Sequence, residues 1–457
     1  MAFYGRKKEI DIIKKELERG HSSILLYGRR RFGKTSLLRE VLNSIDGGVK
    51  LLYTCKPISL FDNAKNFSSL VFSAFSLPFM YIDDFEKIFE FLKTRKERIV
   101  IVLDEYQDLK KREDGDAVDS IFRDIIDYLP ENISIVLSGS SIRLMSALND
   151  ADNPLFERFT KKIHLKEMDY FDSSFFYQNY SVREKIILYS VFGGIPFLNQ
   201  MLDPRKDIYE NIIDLFVEEN GNAGNYVKSV IDTEIVSIPD AFTILSAIGN
   251  GKKRYSELQS ILRDEKSRNQ LSRTLDRLVK ADLIRKKKPI NSDNRNHVFY
   301  EICNNALRFY FSYLLNSEDS ITVNSRIYFE NIIKPSLDTF VSYRFEEISR
   351  MYFSLLSQRG EREDILKIGT YWYDNKERKK NGEFDVALKT VNGYEIFECK
   401  FLEKKIGPEL IKKELDKIKS ITSFNINVFG IISSSGFEKK EEGIICISGD
   451  DIYNLTD

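Results

Sequence analysis

"SSILLYGRRRFGKTSLLREVL", residues 22–42, decides how the first half of the chain is read. Ile24 to Tyr27 is a short apolar run of the kind that forms a fully buried strand. Gly28-Arg29-Arg30-Arg31-Phe32-Gly33-Lys34-Thr35 follows, then Ser36 and an amphipathic helical pattern. This is G-x-x-x-x-G-K-[ST] with the strand before it and the helix after it that the motif requires. Gly28 and Gly33 let the backbone curl so that its N–H groups face phosphate oxygens, and the helix N-terminus adds a favourable dipole. Lys34 is predicted to neutralise β- and γ-phosphates, and the Thr35 hydroxyl to ligate Mg²⁺. The expected ligands are therefore ATP and Mg²⁺, cradled by residues 28–36.

Such a loop needs a second strand ending in an acid. "RIVIVLDEYQDL" supplies it, with Ile99 to Leu103 fully apolar and Asp104-Glu105 at the carboxyl end, where parallel sheets gather their ligands. Asp104 is expected on Mg²⁺, and Glu105 on the attacking water as orienter or base. A third apolar run, "ISIVLSGS", ends in Ser138 and Ser140. There a hydroxyl would meet the γ-phosphate or the water, although serine at a strand end is also ordinary turn chemistry. Arg158 in "NPLFERF" reads either as an exposed arginine or as a finger reaching a neighbouring subunit's nucleotide, which would require a homo-oligomer.

At 457 residues the chain is too long for one ordinary core, and roughly three domains is the prior from length. A formal charge of -1 excludes an all-over nucleic-acid binder but not a local basic face. Four scattered cysteines and three histidines leave no zinc-type spacing, which points to a reduced, cytoplasmic protein. The N-terminus lacks an apolar core of signal-peptide length. No run approaches the ~18 apolar residues of a spanning helix, so no membrane partner is expected.

The segments "FYGRKKEID" (3–11), "GRRRFGKTS", "IVLDEYQDL", "LSGSS" and "VFGGIPFLNQM" together resemble an AAA+/STAND-type P-loop ATPase, nearest to the archaeal-type ATPases. The resemblance implies that Arg6 and Glu9 form an N-terminal box near the adenine. It also implies that Gly194-Ile195-Pro196, in a helical lid, packs Pro196 on the nucleotide. Physically, two glycines before a proline also break a helix there. Relatives read Leu-Tyr-Gly-Arg where this chain has Leu155-Phe156-Glu157-Arg158, a departure that weakens the finger role.

Residues 239–300 give three short amphipathic segments and then two strand-like stretches around a polar tip, the pattern of a winged helix-turn-helix. Its third helix offers Arg268, Asn269, Arg273, Arg277 and Lys280, and its wing offers Arg285 to Lys288, for phosphates and base edges of DNA. A packing module with solvated lysines is the bland alternative.

The C-terminal order is helix, three strands, helix, strand, and it resembles the PD-(D/E)xK, restriction-endonuclease-like, superfamily. The resemblance places Asp385 in one strand and Glu398-Cys399-Lys400 in the next. Two carboxylates bind Mg²⁺ against a scissile phosphate there, and Lys400 orients the attacking water. Glu346, on the preceding helix, would complete the metal shell or hold Lys400.

The expected architecture is multidomain α/β. A P-loop parallel-sheet core (1–168) carries a helical lid (169–238), a winged helix (239–303), a helical connector (304–339) and a restriction-endonuclease-like domain (340–457). The expected function is ATP hydrolysis coupled to DNA binding or metal-dependent cleavage. The alternative is an ATP-dependent switch whose nuclease-like domain only docks.

Overall fold

Five short strands of the first 164 residues pair side by side. They are β1 (Ser23–Tyr27), β2 (Val49–Thr54), β3 (Ile99–Asp104), β4 (Ile133–Gly139) and β5 (Lys161–His164), in the order β2-β3-β4-β1-β5 and all parallel. The computed structural model describes residues 3–455 except 79, 113, 114, 116, 295, 296, 316, 376–379 and 420–425. The chain divides into two compact units, one running to Met168 and including Ile195–Phe197, the other comprising Asp169–Gly194 and Leu198 onward.

In the first unit, β3 and β4 are buried along their whole length, as strands covered on both faces must be. A core of Phe67, Phe85, Phe89, Tyr106 and Phe122 backs them. Each such side chain contributes about 1.5–3 kcal/mol by leaving water. Helix α1 (Lys7–Glu18) precedes β1, and α2 (Lys34–Ser44) leaves it through the glycine-rich turn. Strand β4 lies between β1 and β3, with Ser138 opposite Leu26, so the serine strand separates the loop strand from the acid strand.

Apart from Ile195–Phe197 of the lid, the expected lid, winged helix, connector and C-terminal domain fall within the second unit. Helices α3 (Ala241–Gly249), α4 (Tyr255–Ile261) and α5 (Glu265–Lys280) lead into an antiparallel hairpin of β6 (Ile284–Lys287) and β7 (Phe299–Ile302). The expected boundary at 339/340 falls inside one 25-residue helix, α6 (Lys334–Gln358). Its Pro335 sits in the first turn, where a missing N–H breaks no helical bond.

The C-terminal sheet is mixed. Strands β8 (Ile365–Asn375), β9 (Lys380–Thr390) and β10 (Gly393–Lys400) run antiparallel, and β11 (Ile426–Ser433) and β12 (Ile445–Ser448) continue parallel to β10, giving the order β12-β11-β10-β9-β8. Helix α7 (Pro408–Lys419) makes the crossover from β10 to β11. Alternation along β10 sends Phe397 to Phe353 of α6, with ring centroids 4.8 Å apart, and Ile396 into a cluster with Ile411 and Ile418 of α7. Opposite faces of the sheet are thus covered by α6 and α7.

Candidate functional site

The glycine-rich turn is held by its own side chains. Gly33 has φ 86°, open to glycine at little cost, and a Cβ on Gly28 would lie 2.2 Å from the Leu165 carbonyl oxygen. Lys34 is buried and donates to the carbonyls of Gly28 (2.8 Å) and Arg29 (2.9 Å). Its ammonium therefore stands inside the loop, ringed by the backbone that would surround a phosphate. Arg6 donates to Glu9 (3.0 Å) and to the carbonyls of Lys166 (2.5 Å) and Phe32 (3.5 Å), which fastens the loop from below. Arg29 and Phe32 are buried, while Arg30, Arg31 and Ser36 are exposed. Pro196 reaches within 3.6 Å of where a Gly33 Cβ would be, and the Arg31 guanidinium lies 3.8 Å from the Phe197 ring centroid.

The acid strand ends against this loop. The Thr35 hydroxyl donates to Asp104 Oδ2 at 2.5 Å, which brings together a hydroxyl and a carboxylate of the type that Mg²⁺ prefers. Glu105 has φ 54°, a left-handed conformation uncommon outside glycine, asparagine and aspartate. Its Oε2 accepts from the Ser140 hydroxyl (2.6 Å), the Ser140 N–H (3.2 Å) and Gln107 Nε2. Burial alone would raise the Glu105 carboxyl. The hydrogen bonds from Ser140 and Gln107, with the Lys34 charge, outweigh it and hold the acid below its ordinary value. Glu105 is thus a fixed anion, suited to orienting water more than to taking a proton at neutral pH. Ser138 is fully buried, and its hydroxyl has no partner among the described residues. Gln107 was missed by the sequence reading, although it stands two residues after Glu105 in "DEYQ". Arg158 is ion-paired to Asp127 at 2.6 Å.

In the second unit the paired register of β9 and β10 stops at Val386–Phe397, and continuing it sets Asp385 opposite Glu398. There Asp385 Oδ2 accepts the Cys399 N–H at 2.8 Å, and Arg350 of α6 donates to the Asp385 carbonyl at 2.5 Å. Glu398 is buried, and Lys400 lies 3.5 Å from it. Burial, then the charges of Glu346 and Glu398, push Asp385 up to about 7. Burial alone would lower Lys400, but the Glu414 hydrogen bond and the nearby carboxylates hold it above its ordinary value, so it is a cation. Glu414 of α7, 3.0 Å from Lys400, was not anticipated because "PELIKKELDKIK" reads as a plain amphipathic helix.

Two expectations are revised by these contacts. Glu346 does not touch Lys400; it faces Lys287 (3.9 Å) and Arg350 (3.7 Å), so the group holding Lys400 is Glu414. Nor are the described cations of residues 285–288 free for phosphates. Arg285 pairs with Glu301 and Glu347, Lys286 with Asp276, Lys287 with Glu383, and Lys288 with Asp293. Among the described residues, no group of three or more His, Cys, Asp or Glu is placed to hold a metal ion. Asp385 and Glu398 still fit a Mg²⁺-type ion, which is commonly held by one or two carboxylates plus substrate phosphate oxygens.

Residues 3–201 match the model of an ATPase domain predominantly from Archaea. Residues 310–418 match a family described as "Archaea bacterial proteins of unknown function", a span that contains Glu346, Asp385, Glu398, Lys400 and Glu414. An uncharacterized protein of Methanocaldococcus jannaschii is 24% identical over 382 residues, 82% of this chain and 83% of that protein. Among solved structures, a Walker-type ATPase of Pyrococcus abyssi is 19% identical, covering 68% of this chain and 96% of that one at TM-score 0.49. The ORC2 protein of Aeropyrum pernix is 13% identical, covering 70% and 95% at TM-score 0.45. Among the described residues, no helix is long and apolar enough to cross a membrane.

Proposed function

We propose that the chain hydrolyses ATP in its first unit and uses the second to engage DNA, with a restriction-endonuclease-like site at Asp385, Glu398 and Lys400. The observation that carries the ATPase reading is the convergence of Lys34, the Thr35–Asp104 pair and the Glu105–Ser140 pair at the carboxyl ends of β1, β3 and β4. Lys34 exchanges its two loop carbonyls for the β- and γ-phosphate oxygens of ATP. Thr35 and Asp104 would hold Mg²⁺, which when bound neutralises charge developing on the transferred phosphoryl group. Glu105, kept ionised, aims a water at that group, and Ser140 fixes the aim. Ser138, with a free buried hydroxyl, supplies a further donor beside it.

In the second unit, Asp385 and Glu398 would hold a divalent cation that polarises a scissile phosphate and lowers the pKa of its water. Lys400 keeps its proton and orients that water, while Glu414 keeps Lys400 in place. The winged-helix reading of 239–303 rests on α5, where Asn269, Arg273, Arg277 and Lys280 are exposed. The two arginines and Lys280 make no ion pair among the described residues.

A second reading, a nucleotide-driven switch whose C-terminal domain docks without cutting, is favoured by one observation: Arg285, Lys286, Lys287 and Lys288 are each paired with a carboxylate. Incubating the protein with plasmid, linear and single-stranded DNA, with and without ATP and Mg²⁺, separates the two. Cleavage lost in Asp385→Ala supports the nuclease reading. Nucleotide-dependent assembly with intact DNA supports the switch.

A further inference from the structure

The β6–β7 hairpin lies on the C-terminal sheet. Beyond β6, Ile290 donates its backbone N–H to the Thr370 carbonyl at 2.8 Å, as an added strand would to the edge strand β8. The Asn291 side chain continues the pattern, donating to the Trp372 carbonyl (2.7 Å) and accepting the Trp372 N–H (2.9 Å). His297 stacks on the Trp372 ring at 4.3 Å. An exposed edge strand is a template for pairing, and here the hairpin covers it.

The same hairpin sends one cation toward the acidic site. Lys287, the last residue of β6, lies 3.1 Å from Glu383 and 3.9 Å from Glu346. Arg285, two residues earlier, lies 2.5 Å from Glu347. Glu346 is the α6 acid whose charge bears on Asp385. A carboxylate cannot serve a lysine and a divalent cation fully at once.

We propose that Lys287 is a tethered counter-ion that holds Glu346 back from the Asp385–Glu398 site, so that docking of the hairpin on β8 and binding of a divalent cation oppose each other. The inference rests on the reading of Asp385 and Glu398 as a cation site. Releasing the hairpin leaves Glu346 with Arg350 (3.7 Å) and lets it turn to the site as a third oxygen ligand, and by linkage the cation loosens the hairpin by the same factor. A ligand that draws α5 and its hairpin away from β8 therefore arms the site.

Trp372 is the chain's single tryptophan, so its emission reports hairpin docking without a label. The test is Mn²⁺ titration of the full chain, followed by calorimetry and by Trp372 emission. The Asp385→Ala protein is subtracted so that Mn²⁺ bound at Thr35 and Asp104 drops out. Lys287→Met should raise Mn²⁺ affinity about tenfold, within the roughly 5–150-fold range of ordinary couplings between sites. Asn291→Ala, remote from the ion pairs, should raise affinity while Lys287 is present and add little once it is methionine. Mn²⁺ should shift Trp372 emission in the unmutated protein and less in Lys287→Met. Absence of any Asp385-dependent Mn²⁺ binding overturns both the cation site and this inference. Binding that is indifferent to Lys287→Met and Asn291→Ala, with steady Trp372 emission, overturns the inference alone.

Discussion

The phosphate loop and the C-terminal acidic site solve the same electrostatic problem, bringing like-charged oxygens together, by different routes. In the loop the cation comes first. Lys34 is already buried among carbonyls, and every group around it lies within a few residues of a strand end. In the C-terminal site the anions come first. Asp385, Glu398 and Glu346 come from two strands and a helix, and repulsion among them remains. A site built on a preplaced cation is ready for an anionic ligand, whereas a site built on crowded carboxylates is ready for a cation. Substitutions should therefore act in opposite senses at the two sites.

The largest effect is expected at Lys34. Lys34→Ala should lower ATP hydrolysis by roughly a hundredfold or more, because it removes the ammonium that stands on the loop carbonyls where the β- and γ-phosphates would lie. It also takes a donor from two carbonyls: that of Arg29 keeps the Phe32 N–H at 3.4 Å, while the loss at Gly28 costs about 1–3 kcal/mol where that carbonyl stays dry. A thermal scan should then show a lowered Tm even without nucleotide. Steady-state hydrolysis and Tm falling together mark the preplaced cation, and an unchanged Tm removes that part of the account.

Glu105→Gln comes next. It keeps shape and hydrogen-bonding capacity but removes the charge that Ser140 and Gln107 stabilise. ATP should still bind, and turnover should drop on the order of a hundredfold, the usual contribution of one positioned group acting on the attacking water. Equilibrium binding of a fluorescent ATP analogue beside a phosphate-release assay checks this. Turnover at the unmutated rate would sink Glu105 as the water-orienting residue.

How much of each site was legible follows from the same contrast. The loop could be read because motif, strand and helix are contiguous, and "IVLDEYQDL" announces its acid at the end of an apolar run. Strand β5, "KKIH", could not, since two lysines hide a four-residue parallel edge strand. Strand β12, "ICIS", follows a charged stretch and is too short to show a period. In the C-terminal site, Asp385, Glu398 and Lys400 were named from the order of elements and the resemblance it carries. Glu414 and the true partners of Glu346 depend on which helix covers which face, and spacing does not carry that. Between DNA contact and packing, the wing cations could not be decided from spacing either, since the partners of Arg285 and Lys287 lie on other elements.

At the acidic site the sign is fixed by Asp385. Its folded value, about 7, lies above the ordinary aspartate value of about 4. Between those limits the folded chain holds a proton that the unfolded chain has released. The contribution of this group to stability is thus fully present below about pH 4 and is lost progressively as pH rises from there through 7. A cation competes with that proton, so Mn²⁺ affinity at the site should fall on the order of tenfold per unit below pH 7. Asp385→Ala should abolish the dependence. Lys400→Ala removes no ligand, so Mn²⁺ affinity should hold or rise while any DNA cleavage falls. Calorimetric titrations across pH 5.5–8 (roughly 1.5 units either side of that value) would expose a flat profile, which would break the comparison.

The smallest effect is expected at Arg158, and its smallness is informative. A finger that completes a neighbour's nucleotide site contributes about 10³–10⁵ in rate. Here the guanidinium is paired with Asp127 and donates to the Phe156 carbonyl, both in its own chain. Both partners of the ion pair are partly exposed, and such pairs contribute about 0–1 kcal/mol. Arg158→Ala should therefore leave ATP hydrolysis nearly unchanged, with a small loss of Tm that high salt erases, since a half-exposed pair is already screened there. The measurement needs hydrolysis rates at several protein concentrations, because a finger acting between subunits would show as a concentration-dependent rate that the substitution removes. A loss of a thousandfold at high concentration would mean that Arg158 leaves Asp127 on assembly, and the first unit would then depend on a cation brought to it by a neighbouring subunit.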